Sequence, residues 1–333
     1  MTTPQRSIGS GFGARSSADD VLSGIDLSGK LAIVTGGHSG LGLATTRALA
    51  RAGARVLVAT RRPADARKAV DGIDGVEVDE LDLADLDGVR GFAERFLDSG
   101  REIDILVNNA GLMACPETRV GPGWEAQFAT NHLGHYALVN RLWPALVRGG
   151  GARVVAVASG YANSAIRWHD LQFERGYDKW QAYAQSKMAN VRFAEHLDTI
   201  GRAYGVRAFS VHPGYILTPL QRHLSRSEMV AAGWVDEDGN QVGADFKTPE
   251  QGAATQVWAA TSPRLAGMGG VYCVHCDIAD LPERAGADDG MPPEAARLWA
   301  VSATLTGVDA VSRYTGRSGA GCRVPRPGRP TTR

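Results

Sequence analysis

A tyrosine and a lysine stand four residues apart in the segment YAQSK, at Tyr183 and Lys187. Residues at this spacing share one face of a helix, so the two side chains would lie side by side. A free tyrosine has a pKa near 10, about three units too high for proton exchange at neutral pH, and a neighbouring ammonium lowers that pKa. The pair predicts a catalytic acid or base at Tyr183, although accidental packing also produces such pairs.

Two polar residues elsewhere in the chain would complete such a site. Ser159 ends the apolar segment RVVAVAS, and open α/β sheets bind their ligands at the carboxyl ends of strands. Its hydroxyl could hydrogen-bond a substrate oxygen, and Asn131, within TNHLGHY, could hold a water for proton relay. Taken singly, Ser159 is also explained by the capping of a turn, and Asn131 by bonding to the backbone.

A glycine-rich turn in the segment TGGHSGLG predicts a dinucleotide site. The turn follows a short apolar strand and opens a helical pattern, a context in which glycines let the backbone approach a pyrophosphate. Unpaired amides at the start of the helix then attract the anion. A purely structural turn is the alternative. The residues assigned to the cofactor here are Thr35, Gly36, His38, Ser39, Gly40, Leu41 and Gly42.

The end of the second strand predicts NADP(H) as the cofactor in preference to NAD(H). An acid at this place binds the ribose 2′-hydroxyl of NAD, whereas an arginine accepts the 2′-phosphate of NADP. The sequence has Arg61 and Arg62 and no acid. Arg61 is the better placed, although both could be solvated surface arginines. Asp82 and Leu83 end the third strand, where the acid can reach the adenine amino group or can simply cap a helix.

The elements that must position these residues alternate along the chain. Apolar strands without polar alternation are separated by helical segments, which indicates βαβ units and a parallel sheet covered on both faces. Strands are predicted at 31–35, 55–60, 76–82, 104–111, 153–159, 206–214 and 269–274, and helices at 122–148, 180–203, 249–260 and 293–305. The predicted fold class is therefore α/β, a Rossmann-type doubly wound parallel sheet in a single domain with a substrate lid and terminal extensions.

Composition sets the limits of this domain. Residues 1–28 are predicted to form an N-terminal extension, 29–310 the Rossmann domain, and 219–247 an irregular substrate lid within it. Residues 311–333 are predicted to be a disordered basic tail, because they are rich in arginine, glycine and proline and cannot bury enough surface to fold. The whole chain has 36 basic and 36 acidic residues. Because the tail is basic, the rest of the chain carries a net negative charge and is unsuited to binding nucleic acid.

The cysteine content and the hydropathy predict a cytoplasmic protein. Four cysteines among 333 residues are too few for a disulfide scaffold and suit a reducing compartment. The first twenty residues lack an apolar stretch, and no apolar run approaches the roughly 18 residues of a membrane span. No metal site is expected, because Cys273, His275 and Cys276 lack a second ligand pair and zinc needs about four ligands.

These motifs together resemble the short-chain dehydrogenase/reductase family, in its single-domain branch, over about residues 29–280. The glycine turn matches the family pattern, and NNAG at 108–111 is similar to its fourth-strand signature. The segment HPG at 212–214 resembles the one that holds the nicotinamide amide. The resemblance adds to the predicted cofactor site Asn109, Ala110, Gly111, Tyr183, Lys187, Pro213, Gly214, Ile216 and Thr218.

Four residues fall, in order, on the catalytic tetrad of that family. The resemblance implies that Tyr183 exchanges a proton with the substrate oxygen and that Ser159 polarises that oxygen. It also implies that Lys187 lowers the tyrosine pKa and holds the nicotinamide ribose, and that Asn131 positions a relay water. The hydride would pass between nicotinamide and the carbonyl carbon, chemistry that belongs to the cofactor.

Segments such as DLQFERGYDKW and TPEQGAATQVWAATSP resemble one subgroup of the family. It includes retinol dehydrogenase-like, WW-domain oxidoreductase-like and light-dependent protochlorophyllide reductase-like enzymes, and this chain looks like a soluble bacterial member. The resemblance implies an NADP(H)-dependent enzyme acting on the carbonyl or alcohol of a small metabolite, such as a ketoreductase of secondary metabolism. A C=C reductase, a redox-neutral epimerase and a non-catalytic dinucleotide-binding regulator are the alternatives.

Large side chains in the predicted loops indicate a lipophilic or aromatic substrate, although packing alone would also explain them. They are Met113, Tyr161, Trp168, Trp180 and Trp234. The expected partner is a small molecule, with neither nucleic acid nor a membrane involved. The resemblance allows a homodimer or homotetramer paired through the helices at 122–148 and 180–203, or a monomer.

Overall fold

Short apolar segments form the central sheet of the protein. A computed structural model describes residues 3–162, 164–243, 245–281 and 293–317. Its strands, in chain order, are β1 (Leu31–Thr35), β2 (Arg55–Thr60), β3 (Val76–Glu80), β4 (Ile105–Asn108), β5 (Arg119–Val120), β6 (Trp124–Glu125), β7 (Arg153–Val157), β8 (Arg207–His212), β9 (Val271–Val274) and β10 (Asp277–Ile278). Strands β5 and β6 form a separate pair, and the other eight form one sheet.

The order of strands in the sheet is β10-β9-β8-β7-β4-β1-β2-β3. All neighbours run parallel except β9 and β10, which are antiparallel. The chain winds outward from β1 through β2 and β3, and then returns to the other side of β1 at β4. This reversal confirms the predicted doubly wound α/β fold and places a crevice at the carboxyl ends of β1 and β4.

Helical segments connect the strands and cover both faces of the sheet. The helices, in chain order, are α1 (Ala18–Leu22), α2 (Gly40–Arg51), α3 (Pro63–Ala69), α4 (Leu86–Asp98), α5 (Ala126–Phe128), α6 (Gly134–Val147), α7 (Lys179–Gly201), α8 (Arg226–Ala231), α9 (Pro249–Thr261), α10 (Glu294–Thr306) and α11 (Ala310–Arg317). The helices predicted at 180–203, 249–260 and 293–305 are confirmed, within two residues at each end, by α7, α9 and α10. Within the described ranges, no helix combines the length and apolarity that a bilayer crossing requires.

Alternate residues of β1 enter two separate apolar cores. On β1, Ala32 and Val34 contribute to the core that α1, α2 and α9 complete. Leu31 and Ile33 contribute to the core that α4, α6 and α7 complete. Every residue of β1 is buried, because helical layers cover both sides of the strand. This burial explains why the strand sequences lack polar alternation.

The long helix predicted at 122–148 begins later than expected. The β5–β6 hairpin comes first, and the carboxylate of Glu125 then caps α5 by accepting hydrogen bonds from two backbone amides of its first turn. A single π-helical turn, Ala129–Leu133, joins α5 to α6. Gly134 starts α6 against the carbonyl of Leu83, where a Cβ would overlap the oxygen. The close approach of this helix to the end of β3 therefore requires glycine.

The N-terminal extension packs along the last strands of the sheet. The Gln5 side chain donates to the carbonyls of Tyr272 (2.8 Å) and Ala279 (2.7 Å) and accepts from the Tyr272 amide (2.9 Å). The Asp277 carboxylate accepts from the Ile8 amide at 3.0 Å. Helix α1 then lies on α9. The extension is thus part of the packed molecule over its described length.

The C-terminal segment differs from its prediction. The composition indicates disorder from residue 311, whereas α11 continues the ordered chain, and residues 318–333 lie outside the described part. Val311 is fully buried, and its amide donates to the Asn140 side chain at 3.2 Å. The prediction was wrong for 311–317, because one apolar residue and one polar partner on α6 anchor a segment whose composition resembles that of a tail.

Candidate active site

The carboxyl ends of the parallel strands open into a cavity of about 430 Å³. The structure brings almost all of the predicted site to its wall. The predicted residues that line it are Gly36, His38, Ser39, Gly40, Leu41, Gly42, Arg61, Asp82, Leu83, Asn109, Ala110, Gly111, Ser159, Tyr183, Lys187, Pro213, Gly214, Ile216 and Thr218. Thr35 and Asn131 lie behind this wall and are fully buried.

The glycine turn between β1 and α2 forms one end of the cavity. Gly36 and Gly40 have positive φ angles of 64° and 51°, which glycine adopts without strain. A Cβ at Gly42 would overlap the carbonyl oxygen of Gly36. Among the described residues, the side chain of Ser39 makes no capping bond to α2. The first amides of this helix are therefore open to an anion at the cavity wall.

The hydroxyl of Thr35 joins this turn to the loop after β4. It accepts hydrogen bonds from the amides of Asn109 (2.9 Å) and Ala110 (3.0 Å). The Asn109 side chain in turn donates to the Thr35 carbonyl at 2.8 Å. These bonds hold the two loops at a fixed separation, with Ala110 and Gly111 on the cavity wall.

Three arginines meet the cavity near the end of β2. Arg61 and Arg62 follow that strand, and Arg222 comes from the predicted lid. Arg62 pairs with Asp65 at 3.5 Å, whereas Arg61 has no ion pair within the described part of the chain. Burial, together with the positive charges of Arg61 and Arg62, lowers the pKa of Arg222. The three guanidinium groups thus repel one another, and an anion between them would relieve that repulsion.

Asp82 and Leu83 border the cavity beside these arginines. One carboxylate oxygen of Asp82 accepts from the Ala84 amide at 2.9 Å, which forms a local turn. Helix α4 is capped by Asp85 instead. The presence of an acid at Asp82 is therefore not explained by helix capping.

Ser159 and Tyr183 meet on the cavity wall. The Ser159 hydroxyl lies close enough to the phenol of Tyr183 to lower its pKa, and the Ser159 oxygen accepts from the Tyr161 amide at 3.2 Å. The Ser159 carbonyl accepts from the Tyr272 hydroxyl at 3.1 Å. Strand β7, which ends just before the serine, and helix α7, which carries the tyrosine, thus bring two hydroxyls to a place where both can bind one substrate oxygen.

Burial controls the protonation of Tyr183. The residue is 4% exposed, and burial raises its pKa to about 12, while the nearby Ser159 hydroxyl opposes this only in part. The Lys187 ammonium stands 5.7 Å from the centre of the tyrosine ring. Burial is the largest influence on the Tyr183 pKa in this structure, and the lowering of that pKa by Lys187 stays a prediction.

Lys187 is itself changed by burial. Its Nζ donates to the Val157 carbonyl at 3.0 Å, and its side chain lines the cavity beside Gly111. Burial lowers the Lys187 pKa to about 8. The ammonium is therefore present at neutral pH and is lost in mild alkali.

The Asn131 side chain holds a neighbouring loop, and the predicted positioning of a relay water by this residue stays a prediction. Its Oδ1 accepts from the Leu112 amide (2.7 Å), and its Nδ2 donates to the Leu112 carbonyl (2.9 Å) and to the Ser186 hydroxyl (2.8 Å). The side chain thus holds the loop after Gly111 rather than facing the cavity. With three hydrogen bonds already on its amide group, Asn131 could hold a relay water through its backbone carbonyl.

The segment after β8 closes another side of the cavity. Gly214 has a φ angle of 103°, and the alkyl chain of Lys247 lies where its Cβ would be. The Thr218 hydroxyl caps the 3₁₀ turn Pro219–Gln221. A Cβ on Gly40 would stand 3.1 Å from that of Thr218, so this segment lies directly against the glycine turn.

Comparisons with known proteins agree with this geometry. Residues 30–229 match the family described as short chain dehydrogenase. The chain belongs to the short-chain dehydrogenase family. A "Probable oxidoreductase" from Streptomyces antibioticus is 44% identical over 296 residues, which cover 83% of this chain and 97% of that protein. Retinol dehydrogenase 12 from Mus musculus is 36% identical over 291 residues, which cover 85% of this chain and 88% of that enzyme.

A solved structure extends the comparison to this short-chain dehydrogenase. The RhlG/NADP active-site complex of Pseudomonas aeruginosa has a TM-score of 0.59 at 25% identity and covers 75% of this chain and 95% of its own. The predicted membership of the retinol dehydrogenase-like subgroup is confirmed by the sequence relatives. The protein is therefore an NAD(P)-dependent oxidoreductase.

Aromatic rings line the part of the cavity beyond Tyr183 in this short-chain dehydrogenase. Tyr161, Trp234 and Phe246 line it, and Trp180 packs against two of them; we name these four residues the aromatic wall. Tyr161 stacks on Trp180 with 5.5 Å between ring centroids. Trp234 meets Trp180 edge-on at 6.1 Å and Phe246 at 6.3 Å. Tyr161 also meets the Tyr183 ring at 6.2 Å, so the aromatic wall begins at the candidate proton donor.

Of the other two large residues predicted for the pocket, one lines the cavity and the other packs elsewhere. Met113 lines the cavity. Trp168 does not, because its ring packs under the Arg297 guanidinium of α10 at 4.1 Å. The composition of the loop could not distinguish these cases, since both positions are apolar and lie in segments without periodicity.

The predicted lid supplies both ends of the cavity in this short-chain dehydrogenase. It contributes Arg222 near β2, and Trp234 and Phe246 to the aromatic wall. A salt bridge joins Lys179, at the start of α7, to Glu228 of α8. That bond and the capping bonds to Ser225 lower the Glu228 pKa to about 2. Sequence reasoning missed Arg222 and Phe246, because no motif marks either position.

The cysteine-rich segment at the end of the sheet is a strand and a turn, as predicted. Cys273 lies in β9 and Cys276 in the turn to β10, and both are buried and free. Burial raises the pKa of Cys276 to about 11 and raises that of Cys273 as well. Both thiols therefore stay protonated at neutral pH.

Proposed function

We propose that this short-chain dehydrogenase uses NADPH to reduce a carbonyl group of a small lipophilic or aromatic compound. The observation that carries the proposal is the meeting of the Ser159 and Tyr183 hydroxyls on the wall of one cavity. That cavity has the glycine turn at one end and the aromatic wall at the other. The site is thus arranged to hold a dinucleotide and an apolar carbonyl compound side by side.

The glycine turn fits a nicotinamide dinucleotide, since the start of α2 lines the cavity and, within the described part of the chain, Ser39 makes no side-chain bond to its first amides. The amides at the start of α2 would hold the pyrophosphate, Asp82 would meet the adenine amino group, and Lys187 would hold the nicotinamide ribose. Residues 213–218 would hold the nicotinamide amide. When bound, the reduced cofactor supplies a hydride from nicotinamide C4 to the carbonyl carbon.

Ser159 and Tyr183 act on the substrate oxygen in this mechanism. Ser159 orients the oxygen with a hydrogen bond, and Tyr183 gives its phenolic proton to the oxygen as negative charge develops there. Lys187 and a water on the Asn131 carbonyl return a proton to Tyr183. Each turnover therefore consumes one hydride and one proton and converts the carbonyl to an alcohol.

The protonation state of Tyr183 favours reduction over oxidation. Its pKa of about 12 keeps the phenol protonated throughout the physiological range, and reduction needs the protonated acid. Oxidation would need the tyrosinate, which costs about 1.4 kcal/mol for each pH unit by which the pKa exceeds the ambient pH. The residues of the chain thus supply a proton donor more readily than a base.

The positive charge near β2 supports NADPH over NADH. Arg61 is unpaired within the described residues, and Arg222 faces the same part of the cavity. A ribose 2′-phosphate is an anion that guanidinium groups bind with paired hydrogen bonds. The similar protein RhlG is described in complex with NADP, which agrees with this assignment.

The aromatic wall supports a lipophilic or aromatic substrate. Its rings offer apolar faces without charge, and flat aromatic compounds stack on such faces. The name of one relative refers to retinol, an apolar alcohol. Retinaldehyde and phenanthrenequinone are therefore suitable first probes of turnover.

We also place the enzyme in the cytoplasm. Cys115, Cys273 and Cys276 are free thiols, and thiols persist in a reducing compartment. Detection of the protein in the soluble cytoplasmic fraction of its own cells tests this assignment.

Cofactor choice is tested by thermal unfolding with NADP⁺, with NAD⁺ and with neither. A ligand at 100 times its Kd stabilises the protein by about 2.7 kcal/mol, which is a shift of several degrees. We expect the larger shift with NADP⁺ at equal concentrations. A larger shift with NAD⁺ contradicts the assigned cofactor preference.

Turnover is tested by the loss of NADPH absorbance with each probe, followed by identification of the product. We expect the alcohol, and we expect Tyr183→Phe to lower turnover about 100-fold or more while the Kd for NADPH stays the same. Near-normal activity of Tyr183→Phe refutes its role. A saturated carbonyl product indicates a C=C reductase, and product without net NADPH consumption indicates redox-neutral chemistry.

A further inference from the structure

His135 lies one turn beyond Asn131, where the π-helical turn passes into α6. Its side chain is 2% exposed, and the mechanism proposed above does not use it. The ring nitrogen Nδ1 lies 3.0 Å from the Asn131 carbonyl oxygen, and Nε2 lies 2.9 Å from the Thr35 hydroxyl. The ring therefore bridges the helical stretch that carries Asn131 and the glycine turn.

The partners of the ring decide which nitrogen carries the proton. A carbonyl oxygen can only accept, so Nδ1 must donate to Asn131. In a neutral ring the other nitrogen is an acceptor. The Thr35 hydroxyl must then donate to Nε2 of His135.

The other partners of Thr35 agree with that direction. Its oxygen already accepts from the amides of Asn109 (2.9 Å) and Ala110 (3.0 Å), so its single proton is available to an acceptor. The Nε2 atom of His135 at 2.9 Å is a closer acceptor than the Val107 carbonyl at 3.4 Å. The hydrogen bonds thus run in one direction, from the loop after β4 through Thr35 and His135 to Asn131.

Burial keeps the ring neutral, as this chain of bonds requires. The pKa of His135 falls to about 4, because the ring is buried and the Lys187 ammonium lies nearby. His132, three residues earlier, is also held neutral by burial, with a pKa of about 3. A charged His135 would donate from both nitrogens and would leave the Thr35 proton without this acceptor.

We propose that His135 is a positioning residue of the proton relay, fixed as the neutral Nδ1–H tautomer. It occupies one lone pair of the Asn131 carbonyl and leaves the other to the relay water. Through Thr35 it also ties that carbonyl to the turn that holds the pyrophosphate. The inference rests on the proposed function, because a relay at Asn131 matters only if Tyr183 transfers a proton.

The tautomer is tested without any substrate. The protein is labelled with ¹⁵N-histidine, mixed with NADPH and studied by two-dimensional NMR, and the His135 signals are identified by their loss in His135→Asn. We expect the pattern of a neutral Nδ1–H ring, unchanged between about pH 6 and 8. A ring that carries its proton on Nε2, or one that titrates in this range, overturns the proposal.

Steady-state kinetics separate positioning from a structural role. Reduction of phenanthrenequinone by NADPH is compared among His135→Asn, His135→Leu and the control His132→Leu. His132 belongs to the same helical stretch and is equally buried, but its Nε2 bonds the Ser302 hydroxyl of α10 at 2.7 Å. The control therefore measures the loss of a buried histidine without a change at the relay.

We expect His135→Leu to lose kcat about tenfold or more with little change in KM, because the relay acts in the proton-transfer step. His135→Asn should recover much of that loss, since its amide can still donate to the Asn131 carbonyl. His132→Leu should keep kcat within about twofold, although its unfolding temperature falls. Equal kcat in His135→Leu and His132→Leu overturns the proposal. If His135→Leu does not fold, His135→Asn compared with His132→Asn gives the same decision.

If the proposed function is wrong, the experiments give a different set of results. A wild-type protein that binds NADPH but reduces neither carbonyl probe removes the proposed function, and the relay role of His135 with it. The NMR pattern then still shows whether the bridging tautomer is correct. A wrong tautomer in an active enzyme removes only the role of His135.

Discussion

Burial moves the pKa values of Tyr183 and Lys187 in opposite directions, to about 12 and about 8. Residue types and spacing were enough to find both side chains, and also Ser159 and Asn131. They were not enough to predict the protonation of the tyrosine or the partners of the asparagine. Both depend on how deeply α7 and the π-helical turn pack, which no local pattern of residues reports.

The low pKa of Lys187 predicts an alkaline limit to activity. The ammonium is present below about pH 8 and is lost above it, and with it the charge that would hold the ribose. We expect kcat/KM for NADPH to be level near neutrality and to fall as the pH rises through about 8. Lys187→Arg keeps its charge in this range, so the decline should vanish in that variant even if its rate is lower. A level profile up to pH 10 in the wild type would disprove this assignment.

The lid arginine predicts a cofactor-specific loss of affinity. Replacement of Arg222 by methionine removes one guanidinium from the site near β2. We expect the Kd for NADPH to rise about five- to tenfold and that for NADH to change less than about twofold, as measured by nicotinamide fluorescence. Arg226→Met is the matched control, because Arg226 donates to the Glu237 carbonyl elsewhere in the lid. Equal losses for the two cofactors would mean that Arg222 does not bind the 2′-phosphate.

Elements with a clear pattern were predicted well, and elements that arise from packing were not. Strands β1 and β2 match their predicted limits, because apolar runs bounded by glycine or charge mark a buried parallel strand. The two-residue strand β10 is too short to show a pattern. No characteristic residue composition marks a π-helical turn in a sequence. This one forms just before Gly134, which lies against the backbone at Leu83.

Alanine substitutions at two helix glycines test whether the close approach of α6 to Leu83 requires glycine. A Cβ at Gly134 would overlap the Leu83 carbonyl, so we expect Gly134→Ala to lower the free energy of unfolding by about 2–4 kcal/mol. Gly91 of α4 has only the tip of Arg95 near its Cβ position, at 3.5 Å. Gly91→Ala should therefore raise the free energy of unfolding by about 0.5–1 kcal/mol. Chemical denaturation measures both, and a harmless Gly134→Ala would show that the close approach is not required.

At the scale of the whole molecule, helix α10 covers part of the long helices α6 and α7. Trp299 of α10 stacks on Phe193 of α7, with 5.8 Å between ring centroids, and meets Tyr136 of α6 edge-on at 4.7 Å. Arg192 of α7 and Glu294 of α10 form a salt bridge at 2.6 Å. Helix α10 therefore lies across α6 and α7, the two helices through which the family resemblance allows subunits to pair.

We therefore expect the protein to be a monomer of 35.3 kDa in solution. Light scattering after size-exclusion chromatography measures the mass directly. Trp299→Ala removes the anchor of α10 and should lower the free energy of unfolding by about 3–5 kcal/mol, and the newly exposed helices should then favour association. A wild-type mass of twice the monomer would show that subunits pair by a surface other than the one α10 covers.

The contacts of Gln5 also determine how late in synthesis the fold can be completed. Its partners are Tyr272 and Ala279, and the hydroxyl of Tyr272 holds the carbonyl of Ser159. The segment around Gln5 is synthesised long before β9 and must therefore wait for that strand before it finds its place. Contacts between such distant parts of a chain close slowly. A nascent chain that stops short of β9 has all four tetrad residues, but it lacks the hydrogen bond that holds Ser159 in position.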